Sequence, residues 1–420
     1  MAKIRSSLKP SSFLHRHRFA LFFFVFLAVY HVALVNQFKP WTLQDITYSF
    51  HCVDFSCGFA TKLLPGAVFN AILGKHASLA TATVYETVLL MLIFAGVSVF
   101  LERFLRCVGT EQRLPAFYLL LFFVTGSYTF SIFSEELGML DVYWVLLSLL
   151  FLCFLEHKVL RFLTPVLFVA ALLVHFSALL SCIVLFAILL LYRGAVAKER
   201  REKKIYLALF AVSVVVTAAS FLFFVFFETR TLSSMEEIRD TIKAHGSEYY
   251  YYYDYAFFDN YFGEPIVPAS VTSMDGSLQK ILLTLLHRVR FRIDLAKDIG
   301  FVVPLSFFGG LVILSPILFV VYRFHLQCFR SETDKLRRFC TLLMMLQFPT
   351  MVLASMLFSV DTTRWLSHEF LAFYTCLFAV LFYEEKRRIA FLNQLAQYIR
   401  DYPVNLYFLG YATIHFCAYF

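Results

Sequence analysis

Apolar residues in this chain come in blocks rather than in stripes. Hydrophobic stretches close to the ~20 residues a helix needs to cross a bilayer fall at 19–36, 79–101, 114–133, 138–155, 205–227, 300–322, 339–359, 366–383 and 403–420. Such blocks predict spanning helices, because a backbone in hydrocarbon must satisfy its own N–H and C=O groups. The stretch 160–193 breaks the pattern: its 34 residues are too many for one ordinary span and slightly few for two. Lys158 and Arg161 precede it, and the basic run from Arg193 to Lys204 follows it. Positive residues favour the cytoplasmic side, so both ends lie inside and the stretch reads as a hairpin of two short helices turning near His175. The prediction is an all-α, polytopic integral membrane protein, one domain over residues 1–420, with about eleven transmembrane helices (range nine to twelve).

Charge follows this topology. The segments assigned inside (1–18, 102–113, 156–161, 193–204, 323–338, 384–401) hold 25 of the 37 Lys and Arg residues and 10 of the 29 acids. The remainder holds 12 basic and 19 acidic residues. The basic tail 1–18 therefore stays cytoplasmic. No small-residue cleavage site follows the first apolar block, which predicts a retained signal-anchor. Two long extracytoplasmic loops result, 37–78 and 228–299. The first contains L-L-P-G-A-V-F-N-A-I-L-G, which reads as a short interfacial helix. Residues 278–296 of the second are amphipathic and basic on one side, as suits a helix on the outer membrane surface.

Composition excludes a soluble protein: 60% of the 420 residues are hydrophobic, 16% are charged and the mean hydropathy is +0.72. The net charge of +8 is a topology signal in a plasma-membrane protein whose basic loops face anionic lipid. It is no nucleic-acid footprint. The nine cysteines are scattered without metal-site spacing and read mostly as small apolar residues, Cys52 and Cys57 being the one close pair outside a span.

Ionisable residues converge on the outer face. Asp45, His51 and Asp54 lie in W-T-L-Q-D-I-T-Y-S-F-H-C-V-D-F-S-C-G-F of the first outside loop. Glu135, Glu136 and Asp141 lie in F-S-E-E-L-G-M-L-D-V-Y-W, His175 at the hairpin tip, and Asp361 and Arg364 in S-V-D-T-T-R-W. Each has a plain structural role available. Asp361 and Glu136 can complement a helix dipole, Asp361 and Arg364 can pair at i, i+3, and His175 can be satisfied by a carbonyl. Asp141 and Glu86 demand more, since an acid inside an apolar run costs a few kcal/mol unless it faces a wet cavity or a partner. Arg364 is a candidate counter-charge for Asp141. The tyrosine-rich patch 248–261 suits either sugar rings or an interfacial belt.

These features, with V-H-F-S-A-L-L, G-M-L-D-V-Y-W and D-T-T-R-W, resemble multi-pass glycan-assembly enzymes of bacterial membranes. Such enzymes include the GT-C glycosyltransferases and the exopolysaccharide or O-antigen polymerases. The resemblance implies transfer of a sugar from a polyprenyl-phosphate donor to a glycan acceptor at the extracytoplasmic face, with membrane lipids as the other partners. It implies no cofactor, because the lipid phosphate is itself the leaving group; a divalent metal stays open. Asp54 is then the general base and Arg364, with Arg288 or Arg290, the phosphate ligand. Asp141 and His175 position sugar hydroxyls or the arginine. The rival reading is a transporter or flippase that uses Glu86 and Asp141 as intramembrane carboxylates.

Overall fold

The computed structural model describes residues 17–36, 38–59, 61–75, 77–125, 130, 133, 137–175, 178–179, 181–231, 235–245, 286, 302–358 and 362–403. Among these every regular element is helical. The order is α1 (Arg18–Tyr30), α2 (Asp45–Ser49), α3 (Leu63–Leu73), α4 (Leu79–Cys107), α5 (Arg113–Thr125), α6 (Asp141–Glu156), α7 (Thr164–Val174), α8 (Cys182–Val196), α9 (Arg200–Thr231), α10 (Met235–Ala244), α11 (Val302–Ser331), α12 (Lys335–Phe358), α13 (Thr362–Tyr383) and α14 (Glu385–Asp401). Leu79–Cys107, Arg200–Phe224 and Leu366–Tyr383 are long and apolar enough to cross a membrane, and Arg18–Ala33, Leu63–Leu73, Leu160–Val174 and Cys182–Val196 are shorter apolar helices.

The bundle is built around α8. Twelve of its fifteen residues are buried, as expected for a helix that is apolar on all sides. It touches α6, α7, α9, α12 and α13. The hairpin expected at 160–193 is present: α7 ends at Val174, and His175 leaves the helix in extended conformation (φ −169°, ψ 140°) before α8 begins. The short helix expected in the first long loop is α3, packed against α7. Ser78 caps α4 by accepting a hydrogen bond from the Thr81 amide at 3.3 Å. In α12, Pro349 has no N–H to give the carbonyl of Met345, and the Tyr322 hydroxyl of α11 donates to that carbonyl instead, at 3.1 Å.

Two readings change. Residues 384–401 were expected to form a cytoplasmic loop, but they form the helix α14. Its buried side, Arg388, Phe391, Leu392 and Leu395, has helical spacing and docks α14 beside α5, α11 and α13. The basic segments 102–113 and 323–338 are largely helical as well, because α4, α11 and α12 run through them. Cys52 and Cys57, the close pair, are buried free thiols, in line with their reading as small apolar residues.

Glu86 and Glu102 lie 16 residues apart on α4, about 24 Å along the helix. They mark two ends of the bundle. Glu102, Glu156, Arg193 and Glu384 belong to one, referred to below as the arginine end. Glu86, Asp141 and His368 belong to the other.

Candidate functional site

Two buried acid–imidazole pairs flank the first turn of α6. Asp141 is its first residue, where the positive end of the helix dipole favours a carboxylate. Its Oδ1 lies 2.7 Å from Nε2 of His368, two turns into α13, and both side chains are nearly inaccessible. A carboxylate oxygen only accepts, so beside an ionised Asp141 it is Nε2 that carries the proton. Trp144, one turn on from Asp141, stands edge-on to His368 (centroids 4.9 Å apart) and to His175 (5.9 Å), with its indole N–H donated to the Ala171 carbonyl at 3.3 Å. Phe133 closes the far side of His368 at 5.8 Å.

The second pair is His51–Glu86. Nε2 of His51 lies 2.6 Å from Oε1 of Glu86, and neither side chain is exposed. Nδ1 faces the Thr47 carbonyl at 2.9 Å, so it must donate. One further proton sits between Nε2 and Oε1, either on the imidazole or on the acid, and the pair is neutral in both cases. The Tyr143 hydroxyl donates to the same Oε1 at 2.8 Å. Oε2 of Glu86 has no hydrogen-bond partner among the described residues.

Backbone geometry holds the first loop against this end. Gly66 lies so close to the 50–53 turn that a Cβ there would stand 1.8 Å from the Val53 carbonyl oxygen. Gly138 has φ +83°, and a Cβ on it would meet Leu43 Cδ1 at 2.0 Å, so glycine is required twice over. Lys62 also has a left-handed backbone (φ 69°), unusual for a residue with a Cβ. Its amide donates to the Leu173 carbonyl at 2.8 Å, which brings it against the last turn of α7, and its side chain is buried. Tyr48 joins the two long loops: its hydroxyl lies 2.7 Å from the Ala77 carbonyl and 3.1 Å from that of His245, just beyond α10.

Asp54 sits apart from both pairs. It caps the turn Phe55–Cys57 and is held by the Ser56 amide (2.8 Å), the Ser56 hydroxyl (2.5 Å), Asn70 Nδ2 (2.9 Å) and Lys75 Nζ (3.4 Å). Burial pushes its carboxyl up, but the Ser56 and Asn70 hydrogen bonds and the Lys75 charge together hold it below the usual range.

Of the residues picked from sequence, the structure brings together Asp141 and His175 through Trp144. His368 is a partner of Asp141 that the sequence reading did not name: α13 brings its imidazole to the N-terminus of α6. The Arg364 side chain lies outside the described residues, as do the Asp45 side chain, Asp361, Glu135, Glu136, Arg288, Arg290 and the tyrosine patch 248–261. His368, Lys62 and the fully buried Glu369 were missed. A signal existed: W-L-S-H-E-F-L puts His368 and Glu369 inside an apolar run, the same anomaly that marks Asp141. Among the described residues no group of three or more His, Cys, Asp and Glu side chains is placed to hold a metal ion. Comparison of the chain with protein-family models, with curated proteins and with solved structures returns no match.

Proposed function

We propose that this protein is a polytopic plasma-membrane glycosyltransferase, or a polymerase of the same chemistry, with about eleven spans and a cytoplasmic N-terminus. Its donor is a polyprenyl-phosphate-linked sugar, used at the extracytoplasmic face. The observation that carries the reading is the buried Asp141–His368 pair, with its imidazole at the edge of a cavity and His175 across the Trp144 ring.

In this reading His368 is the base, a role Asp54 is poorly suited to because donors already occupy its carboxylate. Nδ1 of His368 takes the acceptor hydroxyl's proton as that oxygen attacks the anomeric carbon. The bond from the anomeric carbon to the phosphate oxygen breaks, and the electron pair leaves with polyprenyl phosphate. Asp141 keeps the tautomer and steadies the imidazolium. Arg364, from the first turn of α13, supplies positive charge to the departing phosphate. The carrier reading draws on Glu86 as an intramembrane acid, but Glu86 is fully buried and held by His51 and Tyr143.

The test uses purified protein in lipid nanodiscs with a polyprenyl-phosphate sugar and a glycan acceptor, reading release of polyprenyl phosphate. Asp141→Asn and His368→Gln are each expected to lower the rate by about 10²–10⁴. Wild-type rates in both variants would refute the assignment. Lipid-linked sugar crossing the bilayer without transfer would move the protein to the flippases.

A further inference from the structure

A narrow cavity of about 60 Å³ runs down the bundle from the candidate site. Trp144, Ser181 and His368 stand at its outer end, and Leu152, Phe378 and Phe100 toward the arginine end. From Trp144 to Leu152 is eight residues of α6, so the cavity extends about 12 Å along the helix axis. Two of its lining residues, Ser148 and Thr375, have hydroxyls inside the hydrocarbon part. Both are turned back into their own helices, Ser148 Oγ donating to the Trp144 carbonyl at 2.8 Å and Thr375 Oγ1 to the Leu371 carbonyl at 2.6 Å. Their walls therefore offer methyl, methylene and ring faces. The cavity is polar at the imidazole end and apolar below it, which is the polarity profile of a lipid where its head joins its chain.

Size sharpens the match. A buried water needs ~10–15 Å³ of such room, so the cavity holds roughly four to six water-sized groups. That is too small for a sugar ring with its hydroxyls and close to one isoprene unit. We propose that this cavity binds the first isoprene unit of the polyprenyl-phosphate carrier, leaving the phosphate beside His368 and the rest of the chain in the bilayer. The assignment rests on the transferase reading and adds what selects the donor: the shape of the chain next to the phosphate.

The experiment is photolabelling of the purified full-length protein in nanodiscs. The probe is a polyprenyl phosphate with a diazirine in its first isoprene unit, and an alkyl phosphate with the diazirine at the same distance serves as comparison. Labelled peptides are expected from α6 and α13, at least tenfold more with the isoprenoid probe. Ala372→Trp, which fills the cavity, is expected to lose the label by at least tenfold. Ser148→Ala and Thr375→Val keep it, because their hydroxyls face no ligand, and His368→Gln keeps it while losing transfer. Labelling confined to the lipid-facing side of α9 overturns the proposal, as does equal labelling by the alkyl probe. If Ala372→Trp fails to fold, Ser148→Asp, which puts a charge in the same wall, must abolish labelling; retention of the label overturns the proposal. Correct labelling without sugar transfer by the wild type refutes the transferase reading and leaves the cavity assignment in place.

Discussion

Both ends of the bundle bury charge, but they do so with different chemistry. At the arginine end most pairs are guanidinium to carboxylate: Arg161 with Glu202, Arg193 with Glu156, Arg106 with Glu102 (which His17 also approaches, at 3.3 Å), and Arg387 with both Glu332 (2.5 Å) and Glu384 (3.2 Å). Arg337 reaches the same two acids, and the Tyr192 and Tyr383 hydroxyls donate to Glu384 and Glu156. Arg193 stacks on the Tyr383 ring at 4.6 Å. Guanidinium does not deprotonate in proteins, so these pairs keep their cation as pH rises. They tie α6, α8, α9, α12, α13 and α14 together at one level. At the other end the partners of Asp141 and Glu86 are the imidazoles of His368 and His51. One end is held mainly by fixed cations, and the other pairs its buried acids with imidazoles.

The largest expected effect splits the two ends by readout. Arg387→Met leaves Glu332 and Glu384 partly buried without their strongest cation and is expected to cost about 3–5 kcal/mol. Thermal unfolding in detergent measures this, while the rate per folded molecule stays near that of the wild type. His368→Gln keeps a donor for Asp141 and should do the reverse, with the melting temperature nearly unchanged and transfer lost. If both variants lose stability alike, the distinction between the ends falls.

A smaller effect tests how the first loop is held. Gly66→Ala forces the 50–53 turn away from α3 and is expected to cost about 1–3 kcal/mol, seen as faster proteolysis between residues 45 and 75. Unchanged proteolysis would mean that this turn does not anchor the loop.

The smallest effect is at Asp54. Its folded carboxyl lies below the ordinary range, so its contribution is complete above about pH 4 and is lost as pH falls through the folded value. Asp54→Asn should cost about 1 kcal/mol at neutral pH and nothing further on acidification, whereas the wild type declines toward it. Parallel acid profiles for the two proteins would show that Asp54 has no such role.

Much of the scaffold was readable from the order of residues. Runs of apolar residues locate α1, α4, α6, α9, α11, α12 and α13, and flanking charge turned 160–193 into the α7–α8 hairpin. Helix α14 was missed because its charges drew attention to topology, although Arg388, Phe391, Leu392 and Leu395 already had helical spacing. The site was legible only in halves. Asp141 and Glu86 stood out as acids in apolar surroundings, but their partners lie 227 and 35 positions away in the chain. No periodicity encodes such a pairing; it follows from how α13 and the first loop dock. Asp54 shows the converse: a carboxylate in the expected loop whose role depends on donors 2 and 16 residues away.

The Tyr48 hydroxyl has a consequence for how the molecule is made. One of its acceptors, the Ala77 carbonyl, comes from the first loop, and another lies 197 residues downstream. During synthesis the first loop emerges long before its second anchor exists. It can settle on α3 and α4 early, but the clasp closes only after α10 has been delivered to the same side of the membrane. Insertion of α9 in the correct direction is therefore a checkpoint for the candidate site: a chain threaded the wrong way at residue 200 leaves Tyr48 without the His245 carbonyl, and the nascent centre unfinished.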